Sequence, residues 1–305
     1  MRVAERVKHC PKCTRVRVYY ATNRALTGDY TRASTVFGAN LADRLRYGFA
    51  DVSIPPRGPH KLGRLEEPRY VKLELRWDPN RHVMLLDTNV TQRGDFYRTL
   101  TRQTSRSNGQ LLVFIHGFNV TFANALRRTA QIAHDLKFDG VPVTYTWPSA
   151  GSLSRAGYRT DRGMADASVQ YLQKFLLELA RNTGATGIHL IAHSMGNRVL
   201  TQALARIAAD PDVPDKKLFH EIALTAPDVD ADVMVRLARA VTQTGRRVTL
   251  YASSRDHALQ FSKQENTAPR AGLADDILVL AGMDSIDATA VDTEIVGHFY
   301  YAENR

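Results

Sequence analysis

Residues 188–192 form an apolar run, His193-Ser194-Met195-Gly196 follows it, and an apolar-striped stretch begins directly afterwards. A serine in such a strand–turn–helix setting is a candidate nucleophile. Ala192 occupies the first small position of the pattern G-x-S-x-G, so the motif reads A-H-S-M-G. Small residues are needed on both sides because the turn is strained and the strand and helix backbones cross closely beneath the serine. A serine that only caps the following helix is the plainer alternative.

A serine hydroxyl attacks a carbonyl only when a base takes its proton and a carboxylate orients that base. In the fold that uses this turn, the chain order is serine, acid, histidine. After Ser194 the histidines are His220, His257 and His298. His220 opens a strand, on the wrong edge, and His257 adjoins the best acid. His298, in Gly297-His298-Phe299, is therefore the expected base, with a surface histidine as the alternative. Asp256 follows the apolar run 248–252 and is the expected acid. Asp228 and Asp230, in Ala226-Pro227-Asp228-Val229-Asp230, compete with it, Asp228 being the alternative acid, and either could instead cap the helix that follows.

Negative charge developing on the attacked carbonyl calls for preorganised N–H donors. The run 111–115 leads into His116-Gly117-Phe118-Asn119, and the backbone amides of Phe118 and Met195 are the expected oxyanion hole. His116 is expected to be structural. Trp147 is expected to wall the substrate pocket, with a core position as the alternative. Residues 149–162, rich in Gly, Ser and Arg, form the expected mobile rim, where Arg155, Arg159 and Arg162 read more simply as a solvated face than as an anion site. Only about twenty residues separate Ala226 from Val248, which leaves room for one helix and no lid domain.

These positions require a scaffold that sets several strand ends side by side. Residues 16–21, 49–54, 71–77 and 82–86 read as strands divided by Gly/Pro/Asn turns. From about residue 110, short apolar runs (111–115, 143–146, 188–192, 221–225 and 248–252) alternate with helical spacing, as in Phe122, Ala125, Leu126, Thr129, Ile132, Ala133 and Leu136. Such alternation predicts an α/β-hydrolase fold. Its doubly wound, mostly parallel sheet would carry N-terminal antiparallel strands and no large cap domain, with the site at the carboxyl ends of the strands. Residues 1–15 read as a tail and 16–305 as one domain, with N-terminal strands to 110 and a catalytic core from 111.

At 305 residues with 44% hydrophobic and 24% charged residues, the composition is that of a globular chain, and no run approaches the length of a membrane span. The net charge is +10, but the cations are scattered singly, which argues against a nucleic-acid partner. Cys10 and Cys13 are the only cysteines. With His9 they fall short of a zinc shell and read as a free or loosely paired motif. No metal or organic cofactor is expected. The first eight residues lack the apolar core of a secretion signal, which points to the cytoplasm unless a leader has been removed.

Seven stretches make the chain resemble the DUF900 group of bacterial α/β-hydrolases, described as esterase- or lipase-like. They are Tyr20-Ala21-Thr22-Asn23-Arg24, Phe114-Ile115-His116-Gly117-Phe118-Asn119, Thr146-Trp147-Pro148-Ser149, Ile191 through Arg198, Ala226 through Asp230, Leu250 through Asp256, and Gly297-His298. The resemblance implies a serine hydrolase acting on carboxylic esters, with a small-molecule or lipid-like acyl ester as substrate. An amidase, thioesterase or acyltransferase with the same triad, or a catalytically silent interaction protein on this fold, are the alternatives. Many relatives carry a secretion or lipoprotein signal, so a secreted or periplasmic site is the alternative to the cytoplasm.

Overall fold

The structure is a computed structural model that describes residues 1–5, 10–68, 77–150, 152 and 154–290. Antiparallel strands β1 (Arg2–Ala4), β2 (Thr14–Leu26), β3 (Phe37–Ile54) and β4 (Met84–Thr91) are followed by α1 (Arg93–Arg106). Strands and helices then alternate: β5 (Gln110–Ile115), α2 (Phe122–Asp135), β6 (Val141–Thr146), α3 (Arg155–Asn182), β7 (Gly187–His193), α4 (Gly196–Ala209), β8 (Phe219–Thr225), α5 (Ala231–Thr244), β9 (Gly245–Ala252), α6 (His257–Asn266) and β10 (Asp284–Asp287). One ten-stranded sheet results, in the order β1-β4-β3-β2-β6-β5-β7-β8-β9-β10. From β2 to β10 every neighbouring pair is parallel, whereas β1, β4, β3 and β2 pair antiparallel.

The two-residue period of a strand sends alternate side chains to opposite faces. In β5, Leu111, Val113 and Ile115 enter one core with residues of α1, α3, α4 and α5, while Leu112 and Phe114 meet Ile132 and Ala133 of α2. In β2, Tyr19 and Ala21 face the first core, and Val18 and Tyr20 pack with Phe122 and Leu126 of α2. Strands covered on both faces explain why the sequence shows continuous apolar runs there. Between β8 and β9 only α5 intervenes, as the spacing predicts.

Several elements differ from the sequence reading. The strand expected at 49–54 begins at Phe37, because its solvent-facing first half lacks an apolar alternation. α1 is absent from that reading, since its buried stripe is short: Phe96, Tyr97, Leu100 and Thr104. Residues 71–76 of the strand expected at 71–77 lie outside the described residues. Arg2–Ala4, inside the expected tail, pair with β4 at the sheet edge. Cys10 and Cys13 form a disulfide rather than a free pair. Among the described residues no helix is long and apolar enough to cross a membrane.

Phe175 of α3 sits at the centre of the larger core, stacked 6.1 Å from Tyr145 and tilted against Tyr47 and Phe96. It is fully buried. Phe175→Ala is expected to cost about 3–5 kcal/mol of unfolding free energy, read by urea denaturation. A loss below about 1 kcal/mol would show that this aromatic cluster does not hold α3 to the sheet.

Candidate active site

The connection β5–α2–β6 steps to one side of β5, and β6–α3–β7 returns the chain to its other side. Winding therefore reverses between β5 and β7, and beyond the carboxyl ends of two such strands is where sheets of this kind place a ligand crevice. Ser194 follows β7 at that crevice, with φ at +52°. A residue with a Cβ adopts this left-handed conformation at a cost, so the turn must be fastened by its surroundings. The Ser194 amide donates to Thr225 O at 3.0 Å, and its carbonyl accepts from the amides of Asn197 at 3.0 Å and Asp228 at 3.2 Å. The buried Asn197 side chain donates to the carbonyls of Ala192, Ser194 and Thr225 at 3.0–3.2 Å, lacing β7, the turn and β8 together.

Close packing explains the small neighbours. A Cβ on Gly196 would lie 2.5 Å from His116 O and 2.6 Å from Ile115 O, and one on Gly117 would lie 2.8 Å from Ser194 Cβ. The turn after β7 thus presses directly on the turn after β5. Met195, whose amide was expected to serve the oxyanion hole, is buried at the N-cap of α4, where the first helical amides lack intrahelical acceptors. Phe118, the other expected donor, lies in the facing turn, its half-buried ring 5.5 Å from Tyr158. Asn119, beside it, has φ at +58°.

Beneath this loop lies a buried polar cluster that the sequence reading did not identify as part of the site. Arg24, at the end of β2, is almost wholly buried. Its guanidinium donates to Thr146 Oγ1 at 2.9 Å and to the carbonyls of Gly38 at 3.0 Å, Ser149 at 3.2 Å and Val120 at 2.6 Å. Burial lowers its pKa, and the Asp161 carboxylate opposes that shift. Asp161 is itself buried on α3 and accepts from the amides of Ala150 at 2.7 Å and Asn119 at 3.2 Å and from the Ser149 hydroxyl. Burial raises its pKa, countered first by the Ser149 hydrogen bond.

His116 fills the middle of the cluster. Its Nδ1 lies 2.8 Å from Gly117 O and so carries the proton, while Nε2 accepts from the Trp147 amide at 3.2 Å and lies 3.1 Å from Thr146 Oγ1. The expectation that His116 is structural fits these bonds. Trp147, expected to wall a substrate pocket, is instead wholly buried: its ring stacks on His116 at 4.9 Å, and its Nε1 donates to His116 O at 2.8 Å. The rim expected at 149–162 is likewise different. Ser149 is buried and α3 starts at Arg155, because Ser154 caps the helix by accepting from the Gly157 amide.

Asp256 follows β9, is wholly buried, and caps α6 by accepting from the Leu259 amide at 2.9 Å. Asp228 follows β8, where capping the next helix was the alternative to an acid role. The cap of α5 is Asp230, and Asp228 is held elsewhere. Its carboxylate accepts from the hydroxyls of Tyr158 at 2.9 Å and Ser262, and pairs with Arg270 at 3.7 Å. His220 lies at the amino end of β8, away from Ser194, and His257 is exposed at the start of α6. His298 lies outside the described residues. Ser194 itself is only 3% exposed.

The buried His116 yields a pH prediction. Burial first, and the nearby Arg24 charge second, hold its pKa down to about 3, below the 6.5 of a free imidazole. An unfolded chain therefore binds a proton below pH 6.5 that the folded chain refuses until about pH 3. Stability from this group is complete above pH 6.5 and drains away as pH falls toward 3. Between pH 6.5 and 5, wild-type unfolding free energy should fall by up to about 1.4 kcal/mol per pH unit more than that of His116→Gln, measured by urea denaturation. Parallel pH profiles would refute the neutral buried ring.

Comparison with solved structures gives distant likenesses. A predicted CIB-like hydrolase from Thermoplasma acidophilum is 16% identical with a TM-score of 0.36, over 71% of this chain and 84% of that one. An esterase from Pyrococcus furiosus is 12% identical with a TM-score of 0.33, over 59% and 73%. Dipeptidyl peptidase 4 from Porphyromonas gingivalis is 10% identical with a TM-score of 0.34, and the match covers 79% of this chain but only 30% of the peptidase. No curated protein matches the chain. The family profile of DUF900, alpha/beta hydrolases of unknown function, matches residues 92–305, most of the chain, and the protein belongs to that family.

Proposed function

We propose that the protein hydrolyses carboxylic esters through an acyl-enzyme on Ser194. The observation that carries this reading is the +52° φ of Ser194 at the reversal point of the sheet, fastened by Asn197 and pressed against the turn after β5. A serine with only a packing role would not need so costly a backbone. In the proposed reaction Ser194 attacks the ester carbonyl while His298 takes its proton, and the amides of Phe118 and Met195 receive the developing oxyanion. His298 then protonates the leaving alcohol, and water, deprotonated by the same imidazole, releases the acid. Asp256 orients and stabilises the imidazolium. Asp256 is favoured over Asp228 because both oxygens of Asp228 already hold the Tyr158 and Ser262 hydroxyls and one pairs with Arg270.

A panel of acyl esters of increasing chain length, run beside amides and thioesters, tests the substrate class. Turnover of esters, abolished together with fluorophosphonate labelling by Ser194→Ala, is the expected outcome. Activity should rise along a limb near neutral pH, since an imidazole must be unprotonated to act as base, and His298→Ala should remove it. Retention of most activity in Ser194→Ala would end the nucleophile assignment, and loss of the limb in His257→Ala instead would move the base.

The two acids separate by what each loses. Asp256→Asn should lower turnover by about 10⁴-fold with the fold retained. Asp228→Asn should cost about 2–4 kcal/mol of stability through the Arg270, Tyr158 and Ser262 contacts, with turnover largely kept. Turnover and melting temperature measured side by side decide it: catalytic collapse in Asp228→Asn alone would transfer the role to Asp228.

A further inference from the structure

We infer that His60, His134 and Asp135 bind one divalent transition-metal ion of the zinc class, at the end of the sheet opposite Ser194. His134 and Asp135 occupy the last turn of α2, and the segment after β3 brings His60 against them. One donor atom from each residue lies within 4.8 Å of the others. His60 Nε2 is 2.8 Å from Asp135 Oδ1, and the His60 and His134 rings are 5.5 Å apart. Tetrahedral zinc with bonds of about 2.0–2.2 Å needs donor atoms about 3.3–3.6 Å apart. Shifts of about 1.5 Å or less would therefore close the set around an ion.

Two of the three donors, His60 and Asp135, are already oriented by neighbours, as metal-binding imidazoles and carboxylates are. His60 Nδ1 lies 2.8 Å from Glu66 Oε2, which turns Nε2 toward Asp135, and Glu66 Oε1 accepts from the Lys61 amide at 2.9 Å. Asp135 Oδ2 accepts from the Gly63 amide at 2.7 Å and from the buried Gln131 side chain at 2.6 Å, while Oδ1 is turned toward His60. Two imidazoles and one carboxylate suit zinc and its neighbours, whereas calcium and magnesium prefer all-oxygen shells. All three residues line a cleft of about 1270 Å³ that also borders the starts of β2 and β6. A fourth ligand, water or a small anion drawn by Lys12, Arg57 and Lys137, can enter from that cleft.

Without metal, His60 would only staple the 57–66 segment to α2 through Glu66 and Asp135. That staple does not require His134, which separates the two cases. Chelator-treated full chain is titrated with zinc chloride by calorimetry, and retained metal is counted by elemental analysis. We expect one zinc per chain, weakened at least about 100-fold in His134→Ala and about 10–100-fold in Glu66→Gln, with circular dichroism unchanged. His134→Gln replaces the alanine variant if the latter fails to fold. The double variant Cys10→Ser, Cys13→Ser should bind zinc as the wild type does. Failure of the wild type to take up zinc, equal binding by the His134 variants, or loss of zinc in the cysteine variant would each overturn the site.

Discussion

The protein hangs on one buried cation. Arg24, on β2, gives its donors to carbonyls at the start of β3 and in the loops after β5 and β6. The bonds to Val120 and Ser149 are buried, so without the guanidinium each of those two carbonyls would be left unsatisfied, at about 1–3 kcal/mol apiece. The charge itself is tolerable only because the same interior holds Asp161, whose carboxylate grips the turn after β5 and the segment after β6. One cation and one anion on different elements thus fix where Phe118 and Asn119 stand relative to Ser194.

On that foundation the left-handed turn at Ser194 is affordable. Its strain is matched by a ring of specific bonds from Asn197, Thr225 and Asp228, and by the absence of a Cβ at Gly196 and Gly117. The two turns are in contact, so neither can relax without displacing the other. Rigidity of this kind is what the proposed acyl transfer requires, since its donors must already point at the charge before it forms.

Much of this was legible in the sequence, and for definite reasons. Central strands announce themselves as apolar runs because both faces are covered, and the turn at Ser194 does so because close backbone crossing admits only small residues. Features that depend on tertiary encounters stayed hidden. Arg24 and Asp161 are 137 positions apart and look like any surface charges until the fold encloses them. Trp147 is equally consistent with a pocket wall and a core plug, and only its stacking on His116 decides for the core. α1 carries too short an apolar stripe to stand out, and the Asp228 side chain is drawn from its presumed helix cap by Tyr158 and Ser262. His60 approaches His134 only because the segment after β3 folds back upon α2.

Arg24 has a last consequence, which concerns where the working unit begins. The family profile starts at residue 92, yet the residue that ties down the loops around the crevice belongs to β2. A fragment cut at the profile boundary would retain Ser194, Asn197 and Asp256 and lose the donor to Val120 and Ser149. It would also strip β2 from β6, turning a strand buried in mid-sheet into an open edge ready to pair with another chain. The smallest autonomous piece of this chain is thus longer than the stretch the family profile matches, because the leading strands hold that stretch in register.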